Sequence, residues 1–196
     1  MFISMRRWKT LLTNPPLVLD TDILSCFAWI KRMDILEALY SGQMLVPEQV
    51  LVELSKVPHL RDQVDLSIAN NHIVAVQLDP LKPEAQEFAK LLSGDPPIGR
   101  GEAAVMAFVK FNGGTISSNN LTDVLSYSVF HELPLISIRA MFYDAIVHRG
   151  VLTEEEGEQA WNKMKGKRRQ LPCPTVKDII EYYSIGFGIS LELQRY

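Results

Sequence analysis

Short apolar segments alternate with longer helix-forming segments along most of this chain, and this alternation constrains the fold more than any other feature. Five segments have the length and the apolar or β-branched content of buried strands: LVL (17–19), QMLV (43–46), HIVAVQL (72–78), TISS (115–118) and PLISI (134–138). Helix patterns follow each of them, for example PEQVLVELSK with its proline in the first turn. This order predicts an α/β protein with three α/β/α layers around a central parallel sheet, and extra helices at the C-terminus.

Prolines and composition shifts suggest how the chain is divided. The segment Asn14-Pro15-Pro16 is incompatible with a helix and ends a short stretch of basic and apolar residues. We therefore predict an N-terminal appendage over 1–15, one domain over 16–150, and a helical extension over 151–196 that packs on it. No internal repeat or low-complexity segment interrupts this organisation.

Charge and cysteine usage narrow the class of protein. The formal net charge is −3, so the chain as a whole has no basic character, although a local basic groove is still compatible with this balance. Cys26 and Cys173 are far apart and lack metal-ligand spacing. The sequence has no secretory signal pattern and no run of about 20 apolar residues. These features favour a reduced, cytoplasmic protein without a membrane partner.

Acidic and amide residues stand out at four places, after predicted strands or within predicted helices. Parallel strands of an α/β sheet place their carboxyl ends at one edge, where such folds build their sites. The residues concerned are Asp20 and Asp22 after the first strand, Glu53 in the helix after the second, Glu102 at the start of GEAAVMAF, and Asn119, Asn120 and Asp123 after TISS. Each also has a structural interpretation: a helix cap or turn, a solvent-facing helix acid, or a first-turn acid that complements the helix dipole.

The set as a whole indicates a cation site. Mg²⁺ and Mn²⁺ prefer oxygen ligands, and acids from several chain segments make such a site when their strand and helix ends meet. Cations held there activate water and stabilise the leaving oxygen of a phosphodiester.

The sequence resembles the PIN-domain family of metal-dependent ribonucleases over about residues 16–184. The resemblance rests on LVLDTDIL (17–24), VPEQVLVEL (46–54), IGRGEAAVMAF (98–108) and TISSNN (115–120), with PLIS (134–137) and RAMFYDAIVHRGVLT (139–153) downstream. Asp20, Glu53 and Glu102 match three acids of the family, and Asp22 matches a position that is usually small or an amide. The last family acid is replaced, because Ser118-Asn119-Asn120 stands where an aspartate is normal.

This resemblance implies an endoribonuclease that depends on Mg²⁺ or Mn²⁺. Asp20, Glu53 and Glu102 would be catalytic and bind the metal, with Asp22, Asn119, Asn120 and Asp123 as further metal-site residues. It also implies an RNA substrate, the toxin half of a toxin–antitoxin pair, a homodimer, and an antitoxin-like protein partner. The missing aspartate leaves three outcomes open: weaker metal binding, compensation by Asp22 or Asp123, or loss of catalysis.

Two alternatives accompany the nuclease hypothesis. One is a catalytically impaired PIN-fold module that binds nucleic acid or protein and has a regulatory role. The other is a different phosphohydrolase or a DNA-directed nuclease on the same scaffold.

Basic residues suggest where RNA would run. Arg100 precedes Glu102, and the segment NKMKGKRRQ (162–170) contains Lys163, Lys165, Lys167, Arg168 and Arg169. Cations in such a segment contact phosphates, but they also occur at ordinary solvated helix ends. Both interpretations stay open at the level of sequence.

Overall fold

The chain folds around a five-stranded, all-parallel sheet. A computed structural model describes residues 15–166, 171 and 173–184. The strands are β1 (Leu17–Leu19), β2 (Met44–Pro47), β3 (Ile73–Val76), β4 (Thr115–Ser117) and β5 (Leu135–Ile136), in the spatial order β3-β2-β1-β4-β5. The predicted parallel sheet is confirmed: β1 coincides with its apolar segment, β2 is displaced by one residue, and β3, β4 and β5 are shorter than predicted.

Helices cover both faces of the sheet, which confirms the predicted three-layer α/β/α fold. They are α1 (Thr21–Trp29), α2 (Met33–Tyr40), α3 (Glu48–Leu54), α4 (Pro58–Ala69), α5 (Pro83–Leu92), α6 (Arg100–Asn112), α7 (Leu121–Phe130), α8 (Ile138–Tyr143), α9 (Glu154–Gly166) and α10 (Val176–Ser184). A π-helical turn, Asp144–His148, continues α8. A break after Trp29 separates α1 from α2, and Lys31 at this break has a φ of 56°.

The central strands are buried because helices cover the sheet from both sides. All three residues of β1 and all three of β4 are buried. This explains why β1 is a continuous apolar run and does not alternate with polar residues. The core therefore lies around β1 and β4.

The described part of the C-terminal region shares this core. Trp161 of α9 is fully buried, and its ring meets Phe142 of α8 edge-on with 4.9 Å between the centroids. Its indole N–H donates a hydrogen bond to the carbonyl of Cys173. Helix α9 also contacts α1, and α10 contacts α8, so these two helices pack against helices that flank the sheet.

The strand order changes direction between β1 and β4. The chain proceeds outward from β1 to β2 and β3, and then returns to the other side of β1 to form β4 and β5. At such a reversal the connections leave the sheet on opposite faces and open a crevice beyond the carboxyl ends of the two central strands. Asp20 follows β1 and Ser118 follows β4, so both lie at this crevice.

Two observations concern membrane spans and the cysteines. Within the described ranges, the structure has no helix that is both long and apolar enough to span a bilayer. Cys26 and Cys173 are buried and do not form a disulfide. The predicted appendage before Pro15 lies outside the described residues.

Candidate metal centre

Asp20 occupies the centre of the crevice. It extends β1 by one residue, since its backbone N–H donates to the carbonyl of Ser117, and it is the N-cap residue of α1. Its side chain is 2% exposed. One carboxylate oxygen accepts from the backbone N–H of Thr21 at 2.6 Å, and the other accepts from the hydroxyl of Ser118 at 3.0 Å. Asp20 is thus both the helix cap and the innermost acid of the site.

Three carboxylates converge at this point. Asp22 lies in the first turn of α1, and Glu102 lies in the first turn of α6. Ligand oxygens of Asp20, Asp22 and Glu102 all lie within 4.8 Å of one another. Two separate chain segments therefore bring three acids to the carboxyl edge of the sheet, at the reversal of strand order.

Burial, and then the closeness of these acids to one another, raises the cost of their negative charge. The pKa of Asp20 lies well above its ordinary value, first because the carboxyl is buried and then because Glu102 and Asp22 are near; the hydrogen bonds from Ser118 and Thr21 oppose this rise. The pKa of Glu102 is raised to about 7, again mainly by burial, with further contributions from Asp123, Asp22 and Glu53. A positive charge placed among these groups would relieve this repulsion.

Glu53 borders the cluster and is half-buried. Its two oxygens accept hydrogen bonds from the hydroxyl of Thr21 at 2.6 Å and from the backbone N–H of Gly101 at 2.9 Å. Glu53 is therefore more than the solvent-facing acid of an amphipathic helix, because both of its oxygens are hydrogen-bonded within the protein. Its assignment as a direct metal ligand stays a prediction.

The residues after β4 separate into two groups. The side-chain oxygen of Asn119 accepts from the backbone N–H of Ile138 at 3.0 Å and so ties this loop to the start of α8. The amide of Asn120 instead donates to Asp123 at 2.8 Å and also hydrogen-bonds Glu102, which holds the pKa of Glu102 lower than it would otherwise be. Asn120 and Asp123 thus border the acidic cluster, while the oxygen of Asn119 is turned toward α8.

The predicted basic residues are distributed over several places. Arg100 is exposed at the start of α6, two residues before Glu102, and its guanidinium lies 5.9 Å from the ring centre of Phe88. Lys163 and Lys165 are exposed near the end of α9, and the ammonium of Lys165 donates to the carbonyl of Pro174. Lys167, Arg168 and Arg169 lie outside the described residues.

Sequence reasoning did not assign roles to three residues of this centre. Thr21 follows Asp20 and donates its hydroxyl to Glu53, and Ser118 donates to one oxygen of Asp20. Gly101 lets the start of α6 come close to Asp20 and Glu53. A hydroxyl between two acids at a strand end is a recognisable signal for Thr21. The role of Gly101 depends on tertiary contacts that no local pattern contains.

Comparisons with protein-family models, with curated proteins and with solved structures gave no match to this chain. The geometry of the acidic cluster and the chemistry of its oxygens therefore carry the functional argument, together with the motifs read from the sequence.

Proposed function

We propose that the protein is an endoribonuclease of the PIN class that depends on Mg²⁺ or Mn²⁺. The observation that carries the proposal is the convergence of Asp20, Asp22 and Glu102, with ligand oxygens within 4.8 Å, beyond the carboxyl ends of the central strands. A site at a reversal of strand order in a parallel sheet is the usual location of an active site in such folds.

The donor set fits a hard divalent cation. Three carboxylates offer only oxygen atoms, which suits Mg²⁺ and Mn²⁺ better than softer metals that prefer histidine or cysteine. The raised pKa values of Asp20 and Glu102 indicate negative charge that lacks sufficient compensation, which a cation would supply. When bound, such a cation supplies Lewis-acid stabilisation of a phosphodiester and a lowered pKa for attacking water.

The side chains of the centre would then have separate tasks. Asp20, Asp22 and Glu102 hold the cation, and Ser118 fixes the rotamer of Asp20 through its hydrogen bond. Asn120 orients Glu102 and is itself held by Asp123. Arg100, exposed beside Glu102, is available to contact a phosphate of the RNA backbone.

The biological setting follows from the sequence resemblance alone. It supports a cytoplasmic toxin of a toxin–antitoxin pair that forms a homodimer and is inhibited by an antitoxin-like protein. RNA as the substrate has the same basis.

A specific observation favours a second candidate, a PIN-fold module that has lost catalysis and binds nucleic acid or protein. Amides occupy the positions after β4 where the family has an aspartate, and the oxygen of Asn119 is already used by Ile138. Fewer charged ligands would weaken the binding of the cation needed for hydrolysis.

Cleavage of end-labelled RNAs of varied sequence in Mn²⁺ or Mg²⁺ tests the proposal. We expect cleavage by the wild-type protein, none in excess chelator, and none by Asp20→Asn. Asp62→Asn is a matched control, because Asp62 is an exposed aspartate on α4. RNA binding without metal-dependent cleavage would instead support the non-catalytic module, and activity retained by Asp20→Asn would refute the assignment of the site.

A further inference from the structure

Glu53 uses both of its carboxylate oxygens within the protein. One accepts from the hydroxyl of Thr21 at 2.6 Å, and the other accepts from the backbone N–H of Gly101 at 2.9 Å. Hydrogen bonds to a carboxylate are short and strong, and two of them fix the plane of the group. Direct coordination of a cation would have to compete with both.

The two donors lie next to the two sides of the acidic cluster. Thr21 follows Asp20 and precedes Asp22 at the start of α1, whereas Gly101 precedes Glu102 in the first turn of α6. Glu53 belongs to α3, a third element that contacts both α1 and α6. One side chain therefore connects the backbone segments that carry all three converging acids.

The close approach at Gly101 shows that the packing is built around this connection. A Cβ atom at position 101 would lie 2.7 Å from the hydroxyl of Thr21 and 2.7 Å from the Glu53 oxygen that accepts from this hydroxyl. It would also lie 3.3 Å from a carboxylate oxygen of Asp20. No real Cβ tolerates such contacts, so any larger residue would displace the Thr21–Glu53 pair. Glycine is needed here for space, in the helical conformation that other residues also adopt.

We propose that Glu53 is a positioning residue and not a ligand: it sets the distance between the Asp20–Asp22 turn and Glu102 by holding Thr21 and Gly101. The inference rests on the proposed cation site and assigns the carboxylate of Glu53 a role within it. Residues that orient ligands from outside the coordination shell commonly change metal affinity by about 10- to 100-fold. Glu53 is thus expected to affect how tightly the cation binds while leaving its ligands unchanged.

The number of water molecules on bound Mn²⁺ distinguishes the two roles. Electron–nuclear double resonance in H₂O and D₂O counts these waters for the wild type, Glu53→Ala and Asp22→Ala. We expect Glu53→Ala to bind Mn²⁺ about tenfold more weakly with an unchanged water count. Asp22→Ala, which removes a proposed ligand, should gain one water.

Substitutions of the two donors test the same role without altering an acid. Thr21→Val should weaken Mn²⁺ binding about tenfold, and Thr21→Ser, which restores the hydroxyl, should return it to within about twofold of the wild type. Gly101→Ala should also weaken binding about tenfold. Gly166→Ala should not, because a Cβ at exposed Gly166 on α9 meets nothing within 4 Å.

The outcomes separate this inference from the proposed function. An extra water in Glu53→Ala, or equal affinity of Thr21→Val and the wild type, would overturn the positioning role while leaving the cation site in place. Absence of Mn²⁺ binding by the wild-type protein would overturn the cation site and the positioning role together.

Discussion

Replacing Glu102 by glutamine should stabilise the metal-free protein at neutral and alkaline pH. The folded protein raises the pKa of this carboxyl from an ordinary value of 4.5 to about 7. Between these two pH values the folded state retains a proton that the unfolded state has released, so stability falls as the pH rises through the window and stays low above it. The substitution removes this titration and leaves an amide oxygen that can still accept from Asn120.

The size of the effect follows from the pKa difference. At about 1.36 kcal/mol per pKa unit, the full difference corresponds to an upper limit of about 3.4 kcal/mol. Glu102 is only partly buried, and solvent screening reduces the value, so we expect a gain of about 1.5 kcal/mol at pH 8. For a domain of this size that gain raises the melting temperature by about 3–6 °C.

Thermal and urea denaturation in excess chelator at pH 4.5 and pH 8 measures this effect. The stabilisation of Glu102→Gln should be present at pH 8 and nearly absent at pH 4.5. Glu181→Gln, which changes an exposed acid on α10, serves as the control and should differ from the wild type by less than about 0.5 kcal/mol at either pH. Added Mn²⁺ at 100 times its Kd should stabilise the wild type by about 2.7 kcal/mol and the variant by much less. If Glu102→Gln is less stable than the wild type at pH 8 without metal, the account in which burial and the neighbouring acids disfavour the charge of Glu102 is refuted.

Three further predictions concern other parts of the structure. Asn120→Asp should strengthen Mn²⁺ binding about tenfold in calorimetry, because it adds a charge beside Glu102. Asn119→Asp should change the affinity by less than about twofold, because this side chain is directed at the start of α8. The reverse order would mean that Asn119, and not Asn120, occupies the position of the missing family aspartate. Trp161→Ala should lower the free energy of unfolding by about 3–5 kcal/mol in urea titrations because the ring is fully buried, and a loss below about 1 kcal/mol would show that α9 does not share the core. Arg100→Ala should weaken RNA binding and lower its salt dependence without changing Mn²⁺ affinity, and unchanged RNA binding would exclude Arg100 from the phosphate path.

Much of the fold could be predicted because its signals are local. The segment LVL is apolar at every position, and the structure buries all of it in the middle of the sheet. Strand order and the direction reversal between β1 and β4 had no such signal, because they depend on which strands pair across the chain.

The acidic residues of the site could be predicted from the sequence, but the hydrogen bonds that join them to their neighbours could not. Attention to acids at strand ends and helix starts was enough to select Asp20, Asp22 and Glu102, which the structure brings together. The surroundings of Glu53 could not be read from VLVEL, since apolar neighbours on a short helix do not reveal which face meets α6. Asn119 and Asn120 are adjacent, yet their amides reach different partners, Ile138 and Asp123, because the backbone turns between them.

The most direct test of the central claim is the anomalous scattering of Mn²⁺ in crystals of the wild-type protein soaked with the metal. We predict a peak about 2.1 Å from carboxylate oxygens of Asp20, Asp22 and Glu102, and no peak there in Asp20→Asn. A well-ordered crystal with no anomalous peak at this cluster, at a Mn²⁺ concentration that supports RNA cleavage, would contradict the account.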